Sequence, residues 1–256
     1  MKPRQIIFAA LLLSFGALFS QATSAFHSAN DARLLPKGQW QVGLFAPLRY
    51  GLSPNVELSA HPLWFFIIPN ISAKWSHGSM SDYHLAGRHA LVYPTPLLRT
   101  ISKKGTGGII SPEFDTPQML IINNELLISR DWPGLTATLS LGAGLSLRSG
   151  AYDERTSVDL PVVFPRMNVL YHGYRLFGGV DLNGRLYKKL NWQAETTFLS
   201  CPSAEADFAF EQKALLSWIR SERFQLCGGC LLTYGKYPFG EQWHLLPLID
   251  LRWAWR

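Results

Sequence analysis

Apolar and polar residues alternate without a break along residues 135–148, LTATLSLGAGLSLR. Every odd position from Leu135 to Leu147 is apolar, and every even position from Thr136 to Arg148 is polar or glycine. Strands in globular proteins usually hold about five or six residues. The pattern therefore predicts an unusually long β-strand with one apolar face and one polar face.

The same two-residue period recurs along the chain and predicts about twelve strands. It is regular in six further runs: 39–44, 56–61, 71–76, 175–183, 190–198 and 249–256. Less regular strand-like runs occupy Tyr83–Tyr93, Gln118–Arg130, Leu160–Tyr171, Asp207–Ile219 and Phe224–Lys236. Short turn signals separate many of these runs, and no amphipathic helical pattern competes with them.

The N-terminus has the pattern of a cleaved secretory signal. Lys2 and Arg4 precede an apolar run, Ile6 to Phe19, and small residues suitable for cleavage end at Ala22 or Ala25. We therefore divide the chain into a signal peptide over 1–25, a lead-in over 26–37 and a single domain over 38–256. Beyond residue 25 no run of about 18 apolar residues could form a membrane-spanning helix.

Composition narrows the fold class. The chain is 47% hydrophobic but 16% charged, and average soluble domains have about 25% charged residues. Apolar residues dispersed over alternating strands give this balance in membrane barrels. We predict an all-β protein: a closed antiparallel transmembrane β-barrel of about 10–12 strands. Its apolar face contacts lipid, and aromatic residues mark the strand ends: Trp40, Trp75, Tyr93, Trp132, Tyr171, Tyr187, Trp218, Tyr234, Trp243, Trp253 and Trp255.

The predicted turns disagree with this strand count. Both termini of such barrels usually lie in the periplasm, so tight turns should follow even-numbered strands, whereas early in this chain they follow odd-numbered ones. Because proline is disfavoured inside a central strand, residues 38–52 could hold two short strands around Phe45-Ala46-Pro47. Residues 149–173 could then be one long outer loop with a partial strand.

The sequence after the signal resembles small Gram-negative outer-membrane β-barrel proteins grouped with transporters, including those linked to aromatic-degradation pathways. The matching residues are Leu35-Pro36-Lys37-Gly38, Tyr50-Gly51-Leu52 and Glu57. The resemblance implies contact with outer-membrane lipids and recognition of the last strand by the barrel-assembly machinery. Such barrels commonly end on an aromatic residue, whereas Arg256 follows Trp255 here.

Charged residues on the polar strand faces are the candidate functional residues. They form either salt-bridged networks that fill a narrow barrel or the lining of a narrow path for a small polar or anionic solute. The function expected is a narrow channel, a transport-associated barrel or a structural barrel, without covalent chemistry. The predicted lumen-lining residues are Glu57, Lys74, Arg88, Arg148, Arg175, Asp181, Arg185, Glu195, Asp250 and Arg252.

Two alternative functions stay open. Glu57, Ser59 and His61 share a strand face, as a lipid-modifying hydrolase could require. However, a triad needs its histidine between serine and acid, and here Ser59 lies in the middle. A secreted soluble β-barrel that binds a ligand is the other alternative, and solubility of the mature chain without detergent would favour it.

Other motifs give little support for further chemistry. Cys227 and Cys230 lie three apart on a predicted strand and should face opposite sides, unless a bulge at the two intervening glycines brings them together. His84 and His89 likewise make a poor metal pair. The Lys103–Gly108 loop lacks the order of a phosphate-binding motif. We expect no cofactor and no metal. We also expect no nucleic-acid partner, because the formal charge of +6 is scattered.

Overall fold

The computed structural model describes residues 26–105, 109–158, 160–202, 208–237 and 240–256, so the predicted signal peptide lies outside the described residues. The described residues form twelve strands in one closed antiparallel barrel, in which each strand pairs with its neighbours in sequence and β12 pairs with β1. This confirms the predicted fold class at the upper end of the expected strand count. The strands are β1 (Trp40–Gly43), β2 (Leu48–Ser53), β3 (Val56–Ala60), β4 (Asn70–Met80), β5 (Tyr83–Val92), β6 (Met119–Trp132), β7 (Leu135–Arg148), β8 (Tyr174–Tyr187), β9 (Leu190–Ser200), β10 (Phe208–Ser221), β11 (Phe224–Tyr237) and β12 (Gly240–Trp255).

The barrel wall is much lower on one side than on the other. Strands β6, β7, β8, β10 and β11 each hold 14 residues and β12 holds 16. Strands β1, β2 and β3 hold 4, 6 and 5 residues. We call β1–β3 the low wall. At about 3.4 Å per residue, its strands are about 14–20 Å long.

The conflict between turns and strand count is resolved at Phe45-Ala46-Pro47. Two short strands, β1 and β2, flank these residues as one alternative supposed, which confirms that hypothesis. Tight turns then follow β2, β4, β6, β8 and β10, and the long connections follow odd-numbered strands. We call the two ends of the barrel the turn end and the loop end.

The strand predicted over Leu160–Tyr171 is wrong, because this stretch contains a helix. Two shorter helices, α1 (Pro62–Phe65) and α2 (Thr95–Ile101), precede the helix α3 (Val163–His172). Residues on more than one side of α3 are buried, so its sequence has no polar face from which a helical period could be recognised. Residues 149–173 are indeed one long connection, but their described part holds helical turns instead of a partial strand. No helix among the described residues has both the length and the apolar character needed to cross a membrane.

The two faces of β7 lie where the alternation placed them. Leu139 and Leu141 are 43% and 56% exposed on the outside, whereas Thr138 is buried inside. Aromatic side chains ring the turn end, where Trp40 stacks between Tyr50 and Trp255 at centroid distances of 4.2 and 6.4 Å. Tyr171 is an exception to the predicted aromatic pattern. It is buried in α3 and stacks on Tyr152 at 5.0 Å, so its placement at a strand end is wrong.

The Cys-Gly-Gly-Cys segment lies in a regular part of β11. Its pairing with β12 is continuous from Phe224 to Tyr237, so no bulge brings the two cysteines together. Cys227 faces the interior, where Ser217 contacts its sulfur at 3.2 Å, and Cys230 faces the outside. Cys201, Cys227 and Cys230 are all free thiols.

The two glycines between the cysteines give a matched pair for a stability test. A Cβ on Gly229 would lie 1.9 Å from the Ala214 carbonyl oxygen, whereas a Cβ on Gly228 would meet nothing within 4 Å. We therefore expect Gly229→Ala to destabilise the refolded barrel by about 2–3 kcal/mol, in the range of overpacked sites, and Gly228→Ala to be nearly neutral. Urea unfolding measures both, and equal midpoints would contradict the close approach of β10 and β11.

Candidate functional site: the barrel lumen

The lumen contains the N-terminal lead-in, which runs inside the barrel near the turn end. We call residues 26–37 the N-terminal plug. Ala32 and Leu34 pack against Ala86 of β5 and Leu127 of β6. The main chain of Leu35 donates to Glu57 Oε2 at 2.8 Å. A short apolar contact and a row of hydrogen bonds thus hold the plug to the wall.

Side chains from β2 to β9 bind the main chain and polar groups of the plug. Lys74 Nζ donates to the carbonyl oxygens of Asp31 and Arg33 at 2.9 and 3.1 Å. Ser129 Oγ accepts from the Ala32 amide at 2.8 Å. Further contacts of the plug are those of His27 O with Arg49, Asn30 Oδ1 with Arg88, Arg33 Nη1 with Asp131, Arg33 Nη2 with Thr136, and Ser28 Oγ with Asp181 and Gln193.

A row of charges crosses four adjacent strands at one level. Glu57, Lys74, Arg88 and Glu125 occupy directly paired positions on β3, β4, β5 and β6. Arg49 Nε donates to Glu57 Oε1 at 2.8 Å, and Lys74 Nζ lies 3.5 Å from the same oxygen. Arg88 Nε donates to Glu125 Oε2 at 2.7 Å. Each of these inward-facing charges has a partner of opposite charge, so none of them is an isolated ion.

A second polar cluster faces the plug from β8, β9 and β10. Asp181, Glu195 and Lys213 occupy paired positions, and Lys213 forms an ion pair with Glu195. Gln193 Nε2 donates to Asp181 Oδ2 at 2.5 Å. This cluster and the charge row lie on opposite sides of the plug.

The strand register places all ten predicted lumen residues on the inner face. The predicted residues outside the charge row and the second cluster are dispersed. Arg148 donates to the carbonyl oxygens of Leu170 and Tyr171, and Arg175 donates to Asn123 Oδ1. Arg185 lines a cavity at the turn end, and Arg252 Nε donates to Asp250 Oδ2 at 2.8 Å. Sequence reasoning missed eight charged partners: Asp31, Arg33, Arg49, Glu125, Asp131, Arg166, Glu211 and Lys213. Glu125, Glu211 and Lys213 lie in the less regular runs, where reading each strand face separately could have found them.

The long connections close part of the loop end. Residues of α2, α3 and the segment before α3 form one apolar cluster around Leu98, Val169 and Leu170, which we call the loop cap. Helix α3 reaches across the mouth, where Arg166 forms an ion pair with Glu211 of β10 and Phe164 packs on Tyr237 of β11 at 5.5 Å. Burial raises the pKa of the Tyr171 phenol in this cap, which keeps the phenol neutral.

Two cavities lie beside the plug. A turn-side cavity of about 430 Å³ is lined by groups such as Arg33, Arg185 and Asn183. A loop-side cavity of about 520 Å³ is lined by groups such as Arg88, Glu195 and Lys213. His27, Ser28, Gln193 and Arg252 line both cavities, so they form the boundary between them, which we call the constriction.

The candidate hydrolase residues do not meet. Ser59 Oγ hydrogen-bonds Ser72 Oγ at 2.6 Å, and His61 Nε2 contacts the Phe45 carbonyl oxygen at 2.6 Å. Glu57 is held by Arg49, Lys74 and the plug. Within the described ranges, no group of three or more histidine, cysteine, aspartate or glutamate side chains is arranged to hold a metal ion.

The barrel is closed, its outer face carries a broad set of exposed apolar side chains, and its inner face is polar and charged. In a closed antiparallel sheet the strands pair with one another, which satisfies most of the backbone hydrogen bonds that hydrocarbon cannot make. Short turns at one end, long loops at the other and a belt of aromatic side chains are further features of transmembrane β-barrels. The fold is that of an outer-membrane β-barrel.

Known structures of this class resemble the barrel in outline. It is similar to the anion-selective porin from Comamonas acidovorans at 8% identity and a TM-score of 0.44, over 82% of this chain and 58% of the porin. It is also similar to the outer membrane channel DcaP of Acinetobacter baumannii at 10% identity and a TM-score of 0.40, over 93% of this chain and 71% of DcaP. For OccK11 of Pseudomonas aeruginosa, the values are 11% identity and a TM-score of 0.41, over 84% of this chain and 57% of OccK11. This outer-membrane barrel thus spans less than two thirds of the length of the porin.

No family model matches this sequence, and no curated protein matches it. The function of the outer-membrane barrel therefore has to be argued from its own residues.

Proposed function

We propose that this chain is a Gram-negative outer-membrane barrel that provides a narrow, constricted path for a small polar or anionic solute. The observation that supports this best is the boundary that the two cavities share at His27, Ser28, Gln193 and Arg252. The turn-side cavity lies mainly against β6 to β9, and the loop-side cavity lies mainly against β1, β9, β10 and β12. A structural barrel would fill these cavities with side chains.

The orientation follows from the connections. Short turns of outer-membrane barrels face the periplasm and long loops face outward. The plug leads directly into Trp40 at the turn end, so it fills the lumen from the periplasmic side. A solute from outside then passes the loop cap, the loop-side cavity, the constriction and finally the turn-side cavity.

The charges along this path favour an anion over a cation of the same size. Arg33, Arg185 and Arg252 line the turn-side cavity together with one carboxylate, Asp131. Rings of arginine or lysine select anions in other pores. Ion pairing of Arg33 with Asp31 and Asp131 weakens this preference, so we expect moderate selectivity.

We propose a role without covalent chemistry, because Ser59 and His61 are bound to different partners and neither contacts Glu57. In the same proposal, outer-membrane lipids surround the apolar face. The assembly machinery recognises β12 through outward aromatic residues such as Trp253 and Trp255.

Single-channel recording of the refolded mature chain in a planar bilayer tests the path. We expect small, steady current steps with a reversal potential that indicates preference for chloride over potassium in a salt gradient. We expect the current steps to be small because the four residues of the constriction narrow the path between the two cavities described above. A folded barrel that gives no steps in repeated insertions would contradict the proposed path and favour a structural barrel.

A further inference from the structure

Strand β12 has one open edge. It pairs with β11 from Gly240 to Trp253, whereas its pairing with β1 covers Arg252 to Trp255 alone. One further hydrogen bond joins the Leu44 amide to the Leu251 carbonyl oxygen at 2.9 Å. Among the described residues, no strand pairs with the β1-facing edge of residues 243–250. We call the gap between this edge and the 45–47 connection the notch.

The sequence and the exposure of β12 agree with an open edge. Pro247 lies in the middle of this strand, and proline within a sheet is largely restricted to edge strands because it has no N–H to donate. The outward side chains Leu245 and Ile249 are 68% and 67% exposed, more than Leu141 on the fully paired strand β7, at 56%. Missing neighbours on one side account for this difference.

The notch borders the loop-side cavity. That cavity is lined by residues from both sides of the notch: Phe45, Ala46 and Pro47 on one side, and Pro247, Leu248, Ile249 and Asp250 on the other. The cavity therefore lies directly behind the notch.

The notch lies at the depth of the acyl chains. The low wall, at about 14–20 Å, is shorter than the apolar band of about 25 Å that such barrels present. Its rim exposes apolar side chains that would contact lipid tails: Leu44, Phe45, Leu63, Phe65, Phe66 and Ile67. Unpaired backbone at this depth is tolerated where it is buried in protein or lines a water-filled cavity.

The lining of the loop-side cavity has an apolar part and a charged part. Leu215 and Leu248 provide an apolar surface beside the opening. Lys213 and Arg252 line the same cavity with side chains 30% and 20% exposed, and each also has a carboxylate partner. A molecule with an apolar tail and an anionic head matches this arrangement, and about 520 Å³ is within the usual range of small-molecule sites.

We propose that the loop-side cavity binds a single-chain amphiphile with an anionic head, which enters from the membrane through the notch. The tail lies against Leu215 and Leu248, and the head contacts Arg252, which lies four residues from Leu248 on β12. This inference rests on the proposed membrane location but not on ion conduction, because the site can fill from the membrane whether or not the constriction passes ions.

Binding of dansyl-labelled lauric acid to the mature barrel in lipid nanodiscs tests the site, with empty discs as the blank. We expect saturable binding that Leu215→Ala and Arg252→Gln each weaken by about tenfold, roughly the loss of one apolar or charged contact. Leu216→Ala is the matched control for the first variant, because Leu216 is adjacent on β10 but faces outward. Arg223→Gln, at the exposed β10–β11 turn, is the control for the second.

Several outcomes would overturn the site. Binding that does not exceed that of empty discs would do so, as would equal loss in Leu215→Ala and Leu216→Ala. Cross-linked dimers joined along β12, without probe binding, would mean that a second copy closes the notch. Conductance of the same preparation separates the two proposals: a conducting barrel that binds no probe refutes this site alone, and a silent barrel that binds it refutes the ion path alone.

Discussion

A refolded chain that begins at Asp31 should conduct far more strongly than the chain that begins at Phe26. The missing residues include His27 and Ser28, which form one side of the constriction between the cavities. The rest of the plug keeps its anchors, since Lys74 binds the carbonyls of Asp31 and Arg33, and Glu57 binds the Leu35 amide. Single-channel recording should show severalfold larger steps with weaker selectivity.

Folding has to be checked in parallel, because the truncation also removes contacts to Arg49, Arg88 and Asp181. The shift in electrophoretic mobility on boiling reports the folded barrel. As a matched control, His27→Ala and Ser28→Ala keep the main chain in place and should give a smaller increase. Steps of unchanged size from a folded truncated barrel would show that the plug does not limit the path.

Replacing Glu57 should cause the largest loss of stability of any single charge in the lumen. Its side chain is 3% exposed and accepts from Arg49 Nε at 2.8 Å, from Arg49 Nη2 at 2.9 Å and from the Leu35 amide at 2.8 Å. Glu57→Gln leaves Arg49 and Lys74 buried together without their shared carboxylate. Breaking a buried ion pair from one side typically costs about 3–5 kcal/mol.

Urea unfolding of the refolded barrel in vesicles measures this loss. Glu154→Gln is the control, since Glu154 lies in the exposed part of the loop cap region with a side chain 71% exposed. We expect no measurable change for that variant. If Glu57→Gln unfolded at the same urea concentration as the unmodified chain, the charge row would be dispensable for folding and the plug would need another anchor.

The sequence predicts the barrel well because the two-residue period is a local property of each strand. Residues 135–148 alternate without a break, and β7 has the same limits. The period fails at Leu160–Tyr171, because α3 is buried from more than one side and its sequence has no polar face. Tight turns located the strand ends, and the proline at position 47 indicated the two short strands around it.

The candidate site was harder to predict because it depends on contacts between distant parts of the chain. Inward positions such as Lys74 and Asp181 follow from alternation alone. Their partners do not, since Lys74 binds carbonyls of the plug some forty residues earlier and Asp181 accepts from Ser28. The sequence of residues 26–37 does not indicate that they lie within the lumen. The notch is also a property of strand pairing, although Pro247 indicates it locally.

The low wall has a consequence for the surrounding bilayer. Lipids that border β1–β3 meet an apolar surface shorter than their own hydrocarbon thickness, whereas lipids on the opposite side meet one that matches it. The membrane must thin locally along that one sector, at an elastic cost of fractions of a kcal/mol per Å of mismatch. Two such proteins share one thinned region of the bilayer when their low walls face each other. This gives them a preferred mutual orientation without direct contact.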